Sequence, residues 1–217
     1  MGDLPNGTGE RLVSPDPMDA LYLVVGLGNP GADYARTRHN IGFMAVGRFG
    51  AKRGAVWTTE KKFESRLAKA EVAGKRALLC EPQTYMNVSG RAVGALVDFY
   101  RLPLERLLIV VDDADLPFGE LRMRGSGSSG GHHGLESIEQ RLGSREYARL
   151  RMGIGRQRQD VREISGHVLG KFGSAEAETL ELMLNRAASQ IERWMDAGLQ
   201  RAMNEFNGSV IGPKKDE

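Results

Sequence analysis

The stretch 23-LVVGLGNPGADYARTRHNIGF-43 decides how the rest of the chain is read. It opens as a buried strand, an apolar run without alternation, and then breaks into Gly26-x-Gly28-x-x-Gly31. That spacing belongs to dinucleotide-binding turns, where glycines let the backbone approach a pyrophosphate and the last one opens a helix. The context does not follow. Pro30 precedes Gly31, ADYARTRHN has no helical apolar stripe, and RFGAKRGA at 48–55 brings no second strand ending in an acid for a ribose. The loop instead carries Asn29, His39 and Asn40. Polar side chains gathered just after a buried strand are where open α/β sheets keep their chemistry.

Outward from this stretch, strands and helices alternate. NIGFMAVGRFGAKRG sets Ile41, Phe43, Met44 and Val46 close to helical spacing, and SRLAKAEVAGKRALLCEPQ reads as two short strands around a Gly74-Lys75 turn. Residues 88–101 place Val93, Leu96, Val97 and Tyr100 on one helical face, stopped by Pro103. RLLIVVDDADLPFG is a second buried strand running into an acidic loop, and ELRMRG a short alternating one before the glycine-serine loop 125–131. GLESIEQRLG reads as a helix ending at Gly143, and ARLRMGIGR as a strand with Leu150, Met152 and Ile154 on one face. Ser174 to Ala197 is an amphipathic helix with Glu176 and Glu178 in its first turn and Gly198 past its end. The alternation predicts a single α/β domain over residues 21–208. Residues 1–20, with Pro5, Gly7, Gly9, Pro15 and Pro17, are expected to be a disordered leader, and 209–217 a polar tail.

Bulk properties narrow the class. At 217 residues the chain suits one core, and a net charge of +2 leaves any affinity for nucleic acid to local patches. No apolar run approaches the roughly 18 residues of a membrane span, and nothing near the start reads as an export signal. Cys80 is the single cysteine, which excludes an internal disulfide framework. A cytoplasmic protein is the expectation. Four histidines and one cysteine also leave little material for a structural zinc site.

His39 is the candidate general base, because an imidazole with a pKa of about 6.5 accepts a proton near neutrality once a partner fixes its tautomer. Asp112, at the end of LLIVVD, is the candidate partner. No G-x-S-x-G elbow and no catalytic cysteine context is present, and Cys80 sits in an apolar strand as a packed thiol, so water is the expected attacking group. Asp112, Asp113 and Asp115 lack the later glycine and glutamate of a calcium loop, and a magnesium site stays open as the lesser alternative. Adjacent His132 and His133 are expected to diverge rather than to share a metal. Asn29 and Asn87 suit a substrate with peptide groups, since a carboxamide both donates and accepts.

These motifs, taken together and in order, resemble the bacterial peptidyl-tRNA hydrolase family. The resemblance rests on VVGLGNPGADYARTRHNIGF, EPQTYMNVSGRAV, VVDDADLPFGELRMRGSGSSGGHHGLESI, LRMGIGR and GHVLGKF, and covers about Leu21 to Phe206. It implies a three-layer monomer with a twisted mixed sheet flanked by helices, no cofactor, and hydrolysis of the ester joining a peptide to the 3′ end of tRNA. By motif, His39 activates water and Asp112 orients it, while Asn29 and Asn87 bind the peptide main chain and one carboxamide helps to hold the oxyanion. Tyr34 matches a position associated with the tRNA 3′ end, and Met86 lines the same cleft. One position departs: the family commonly reads Gly-His-Asn-Gly where this chain has Gly131-His132-His133-Gly134. His133 therefore stands where an asparagine positions substrate or water.

From Leu121 to Arg162 there are nine arginines and no lysine against four acids, so the near-neutral total hides a basic region. Arg122, Arg124 and Arg151 match the family's contacts to tRNA phosphates. Alternation puts Arg122 and Arg124 on one side of a strand. A non-catalytic RNA-binding relative is the rival reading; it would not need His39, Asp112, Asn29 and Asn87.

Overall fold

A computed structural model describes residues 21–155 and 166–212. The expected leader, and the tail beyond residue 212, lie outside the described residues. One eight-stranded sheet runs in the order β2-β3-β4-β1-β5-β7-β6-β8. Its strands are β1 Leu21–Gly26, β2 Thr58–Glu60, β3 Ser65–Val72, β4 Lys75–Pro82, β5 Leu107–Asp113, β6 Glu120–Arg124, β7 Ala148–Gly153 and β8 Gly208–Ser209. β4, β1, β5 and β7 pair in parallel at its centre, while β2, β3, β6 and β8 add antiparallel flanks. The helices that flank the sheet include α1 Ile41–Ala51, α2 Ser89–Tyr100, α3 His133–Leu142, α4 Ala177–Ala197 and α5 Leu199–Phe206.

Alternation along the central strands separates two cores. Val24, Leu108, Val110, Leu150 and Met152 face Val46 and Phe49 of α1 and Met183, Ile191 and Trp194 of α4. Leu23, Val25, Ile109 and Val111 face Val93 and Leu96 of α2 and Leu135 and Ile138 of α3. Both faces of the parallel strands are covered, which is why those strands read as continuous apolar runs. The result is the expected three-layer α/β domain.

The expected elements are present, with changes at their ends. The two short strands around residue 74 are each eight residues long. A 3-10 turn over Ser174–Glu176 precedes α4, because the Glu176 carboxylate is drawn into contacts with Arg38 and the Gly173 N–H. The sheet extends into the expected tail, since Gly208–Ser209 pairs with β6. β2 and β8 are too short to give a periodic signal, whereas α5, which was not anticipated, carries Leu199, Ala202, Met203 and Phe206 at helical spacing.

Gly26 of the opening motif and Gly42 beyond it serve packing. A Cβ on Gly26 would fall 2.3 Å from the Gly42 carbonyl oxygen, and one on Gly42 would fall 2.4 Å from that of Val110. The bare backbones let α1 start directly against the ends of β1 and β5. That contact delivers residues 38–40, the 3-10 turn before α1, to the carboxyl edge of the sheet.

Candidate active site

The carboxyl ends of β1, β4 and β5 converge on this edge, where ligands of open α/β sheets bind. β5 brings Asp112, which is 2% exposed, and the turn before α1 brings His39. Nδ1 of His39 lies 3.0 and 3.1 Å from the two Asp112 carboxylate oxygens. Asp112 can only accept, so Nδ1 carries the proton and donates. Nε2 is left with its lone pair and no hydrogen-bond partner among the described residues. Burial opposes a charge on His39, but the charge and hydrogen bond of Asp112 outweigh it and raise the pKa above 6.5. The opposite holds for Asp112: burial works against its charge, yet His132 and then His39 hold its carboxyl well below the usual range.

His132 is the residue that sequence reasoning left without a role. Its Nδ1 caps α3, accepting from the Gly134 and Leu135 N–H groups at 3.2 and 3.4 Å. An accepting Nδ1 forces the proton onto Nε2, which donates to Asp112 Oδ1 over 3.0 Å. Asp112 thus receives one N–H from each of two imidazoles. The signal was available in the sequence as a polar residue just before a helical run, the place of a cap. His39, Asp112 and His132 also bring three potential ligand atoms within 4.8 Å of one another. A metal there would need the Nε2 lone pair of His132, and its other nitrogen is already committed to the cap. The chemistry of this set therefore fits a proton-holding network better than an ion site.

The asparagines divide. Asn29 is 9% exposed, and its Oδ1 accepts from the Met86 backbone N–H at 2.8 Å. Its own backbone is gripped on both sides by the Asn40 carboxamide: Asn29 N–H donates to Oδ1, and Nδ2 donates to the Asn29 carbonyl, both at 2.9 Å. Among the described residues, Nδ2 is the Asn29 polar atom with no partner. Asn87 follows Met86 in the 3-10 turn between β4 and α2; it is exposed, with no side-chain hydrogen bond to the described residues. Met86 itself is buried in the core beneath. Tyr34 is half-buried in the loop that leads to His39.

The expected phosphate contacts also differ from one another. Arg122 and Arg124 stand exposed on β6, opposite Arg151 and Arg149 of β7. Arg151 is committed internally, to Asp113 at 3.1 Å and to the carbonyls of Ser128 and Ser129. Arg149, which was not singled out, is 1% exposed and donates to the carbonyls of Gly127, Ser128 and Arg145. These two arginines fasten the glycine-serine loop, while Arg122 and Arg124 present their charge to solvent. His133, the first residue of α3, has a side chain 75% exposed and sits 3.2 Å from Glu136. It points away from the Asp112 network that its neighbour joins. Cys80 is buried, donates to Ser65, and has its pKa pushed up to about 12 by burial, as a packed thiol should.

A three-layer α/β domain that sets a carboxylate-oriented imidazole at the sheet's carboxyl edge, with no nucleophilic side chain bonded to it among the described residues, has the parts of a hydrolase site. The comparisons give the family. A model of peptidyl-tRNA hydrolase matches residues 23–215, and the chain belongs to that family. It is 47% identical over 207 residues to the peptidyl-tRNA hydrolase of Synechococcus sp. strain JA-2-3B'a(2-13), covering 94% of this chain and 92% of the relative. The Carboxydothermus hydrogenoformans enzyme is 47% identical over 187 residues, 86% of this chain and 98% of its own. Among solved structures, peptidyl-tRNA hydrolase from Acinetobacter baumannii superposes with a TM-score of 0.83 at 34% identity, covering 92% of this chain and 100% of that one.

Proposed function

We propose that this protein hydrolyses the ester between peptide and tRNA with a water activated by Nε2 of His39, and so returns tRNA from prematurely released chains. The observation that carries the mechanism is the pair of contacts from His39 Nδ1 to Asp112, which leave Nε2 as the free base. Water gives its proton to Nε2 as its oxygen attacks the ester carbonyl. When the tetrahedral intermediate collapses, the imidazolium returns a proton to the leaving 3′ oxygen of the ribose. The products are a tRNA hydroxyl and a peptide carboxylic acid, which loses its proton to solvent at neutral pH. Asp112 holds the tautomer and offsets the imidazolium charge, as an orienting carboxylate does in acyl-transfer sites.

Nδ2 of Asn29 and the carboxamide of Asn87 bind the peptide main chain in this reading, and a donor of this kind would stabilise the oxyanion. Tyr34 borders the path of the tRNA 3′ end, with Met86 packed beneath Asn87. Arg122 and Arg124 meet tRNA phosphates directly; Arg151 acts through the loop it holds and at most shares a phosphate. His133 contributes at the rim through the free face of its ring. The protein works as a monomer in the cytoplasm, where its substrate arises; no helix of the described residues is long and apolar enough to cross a membrane. The test is release of peptide from peptidyl-tRNA by the purified protein, compared with its His39→Ala variant.

A further inference from the structure

His39 lies between two residues whose side chains are buried anchors. On one side Asn40, 1% exposed, is bound to Asn29. On the other, the Arg38 side chain is 9% exposed and turned away from the cleft. Its Nη2 donates to both oxygens of Glu176, at 3.0 and 2.8 Å, and its Nη1 to the Lys171 carbonyl at 2.9 Å. The guanidinium carbon lies 5.2 Å from the centre of the Phe172 ring. The backbone repeats the attachment: Arg38 N–H donates to the Gly170 carbonyl at 2.9 Å, and Thr37 bridges Lys171. Every one of these partners belongs to residues 170–176, just ahead of α4.

We propose that the Arg38–Glu176 pair is a positioning device for His39, fixing the rotation of the turn that carries the imidazole and so its aim at Asp112 and the ester. The inference rests on His39 being the base. In a 3-10 turn, successive side chains point about 120° apart. Fixing Arg38 and Asn40 therefore fixes the direction left for His39. A largely buried ion pair is weak evidence for stability, because desolvation offsets its attraction. Its directional hydrogen bonds, in contrast, specify an orientation, because Nη2 is held on both Glu176 oxygens while Nη1 is held on the Lys171 carbonyl. Arg38 also holds this place with Nε buried and without a partner among the described residues, which a pair selected for stability alone would not favour.

Two variants probe the pair from opposite sides. Glu176→Gln keeps an acceptor but removes the charge. Gly170→Ala leaves all charges in place and sets a Cβ 3.0 Å from Arg38 Nη1 and 3.1 Å from the His167 carbonyl oxygen, so that the guanidinium, as the freer of the two, must give by a few tenths of an ångström. Each is measured for kcat, KM and thermal midpoint, with the His39 imidazole titrated by NMR; His39→Ala serves as control. The expected result is a fall in kcat of roughly 10- to 100-fold well below the melting temperature, with KM within about twofold. The His39 pKa should fall toward about 6.5 as its contact with Asp112 loosens. Wild-type kcat and an unchanged His39 titration, with only the midpoint lowered, would reduce the pair to a structural brace and overturn the proposal. Activity retained in His39→Ala would instead overturn the reading on which the proposal rests.

Discussion

His39 and His132 donate to one oxygen: Nδ1 of the first and Nε2 of the second each lie 3.0 Å from Oδ1 of Asp112. Their ring centres are 5.1 Å apart. The two are not equivalent, because Nδ1 of His132 is committed to the helix cap while Nε2 of His39 has no partner among the described residues. Changes at Asp112 and at His132 should therefore move the base in opposite directions. Asp112→Asn removes the charge that raises the His39 pKa and offers an N–H where Nδ1 needs an acceptor. The acid limb of the kcat profile should move to lower pH and kcat should drop on the order of 10²- to 10⁴-fold. His132→Ala leaves the Asp112 charge with one fewer donor, so His39 should hold its proton more tightly and the acid limb should move up. It should also cost about 1 kcal/mol through the lost cap. Profiles of both variants moving the same way would contradict the shared-acceptor arrangement.

The wild-type pH dependence follows from the same contacts. The His39 pKa is raised in the fold, so the attraction between its imidazolium and Asp112 adds stability below about 6.5 and loses it as pH rises through the folded value. Activity runs the other way, since the base must be neutral. The protein should be most active above the folded His39 pKa, where that contribution to stability is gone. A kcat profile with one proton lost on the acid side, with its midpoint above 6.5, is the expected result. A midpoint clearly below 6.5 would count against the assignment.

The two asparagines should separate stability from binding. Asn29→Ala strands the buried Met86 N–H, which costs about 1–3 kcal/mol, and raises KM as well. Asn87 has no internal partner, so Asn87→Ala should raise KM and leave the thermal midpoint within a degree or two. Equal destabilisation by both would show that Asn87 is tied into the fold after all.

The arginines should divide in the same way. Arg124→Ala should raise KM, most at low salt, and flatten the dependence of log KM on log salt by roughly 0.7 to 0.9 for one lost phosphate contact. Arg151→Ala should also lower the thermal midpoint, because Asp113 and the Ser128 and Ser129 carbonyls lose their donor. A salt-independent KM in the parent protein would remove the phosphate contacts from the account.

Most of the fold was legible because its central strands are buried on both faces and its helices are amphipathic. The short β2 and β8 were not, since two or three residues carry no period. At the site, His39 and Asp112 were marked by their places at strand and loop ends. Their distance was not, because the sequence separation of 73 positions is closed only by the tertiary approach of α1 to β5. The arginines show the limit most plainly. Arg122, Arg124, Arg149 and Arg151 look alike as residues on two short strands, yet two face solvent and two are turned into the loop above them. Side-chain alternation cannot say which guanidinium the glycine-serine loop will cover.

The most direct measurement is the single-turnover rate of ester cleavage in peptidyl-tRNA by the wild-type protein and by His39→Ala, with tRNA binding followed in parallel. A loss of roughly 10²- to 10⁴-fold in the rate, with tRNA affinity nearly unchanged, is the predicted result. A variant that still cleaves at close to the wild-type rate would contradict the assignment of His39 as the base.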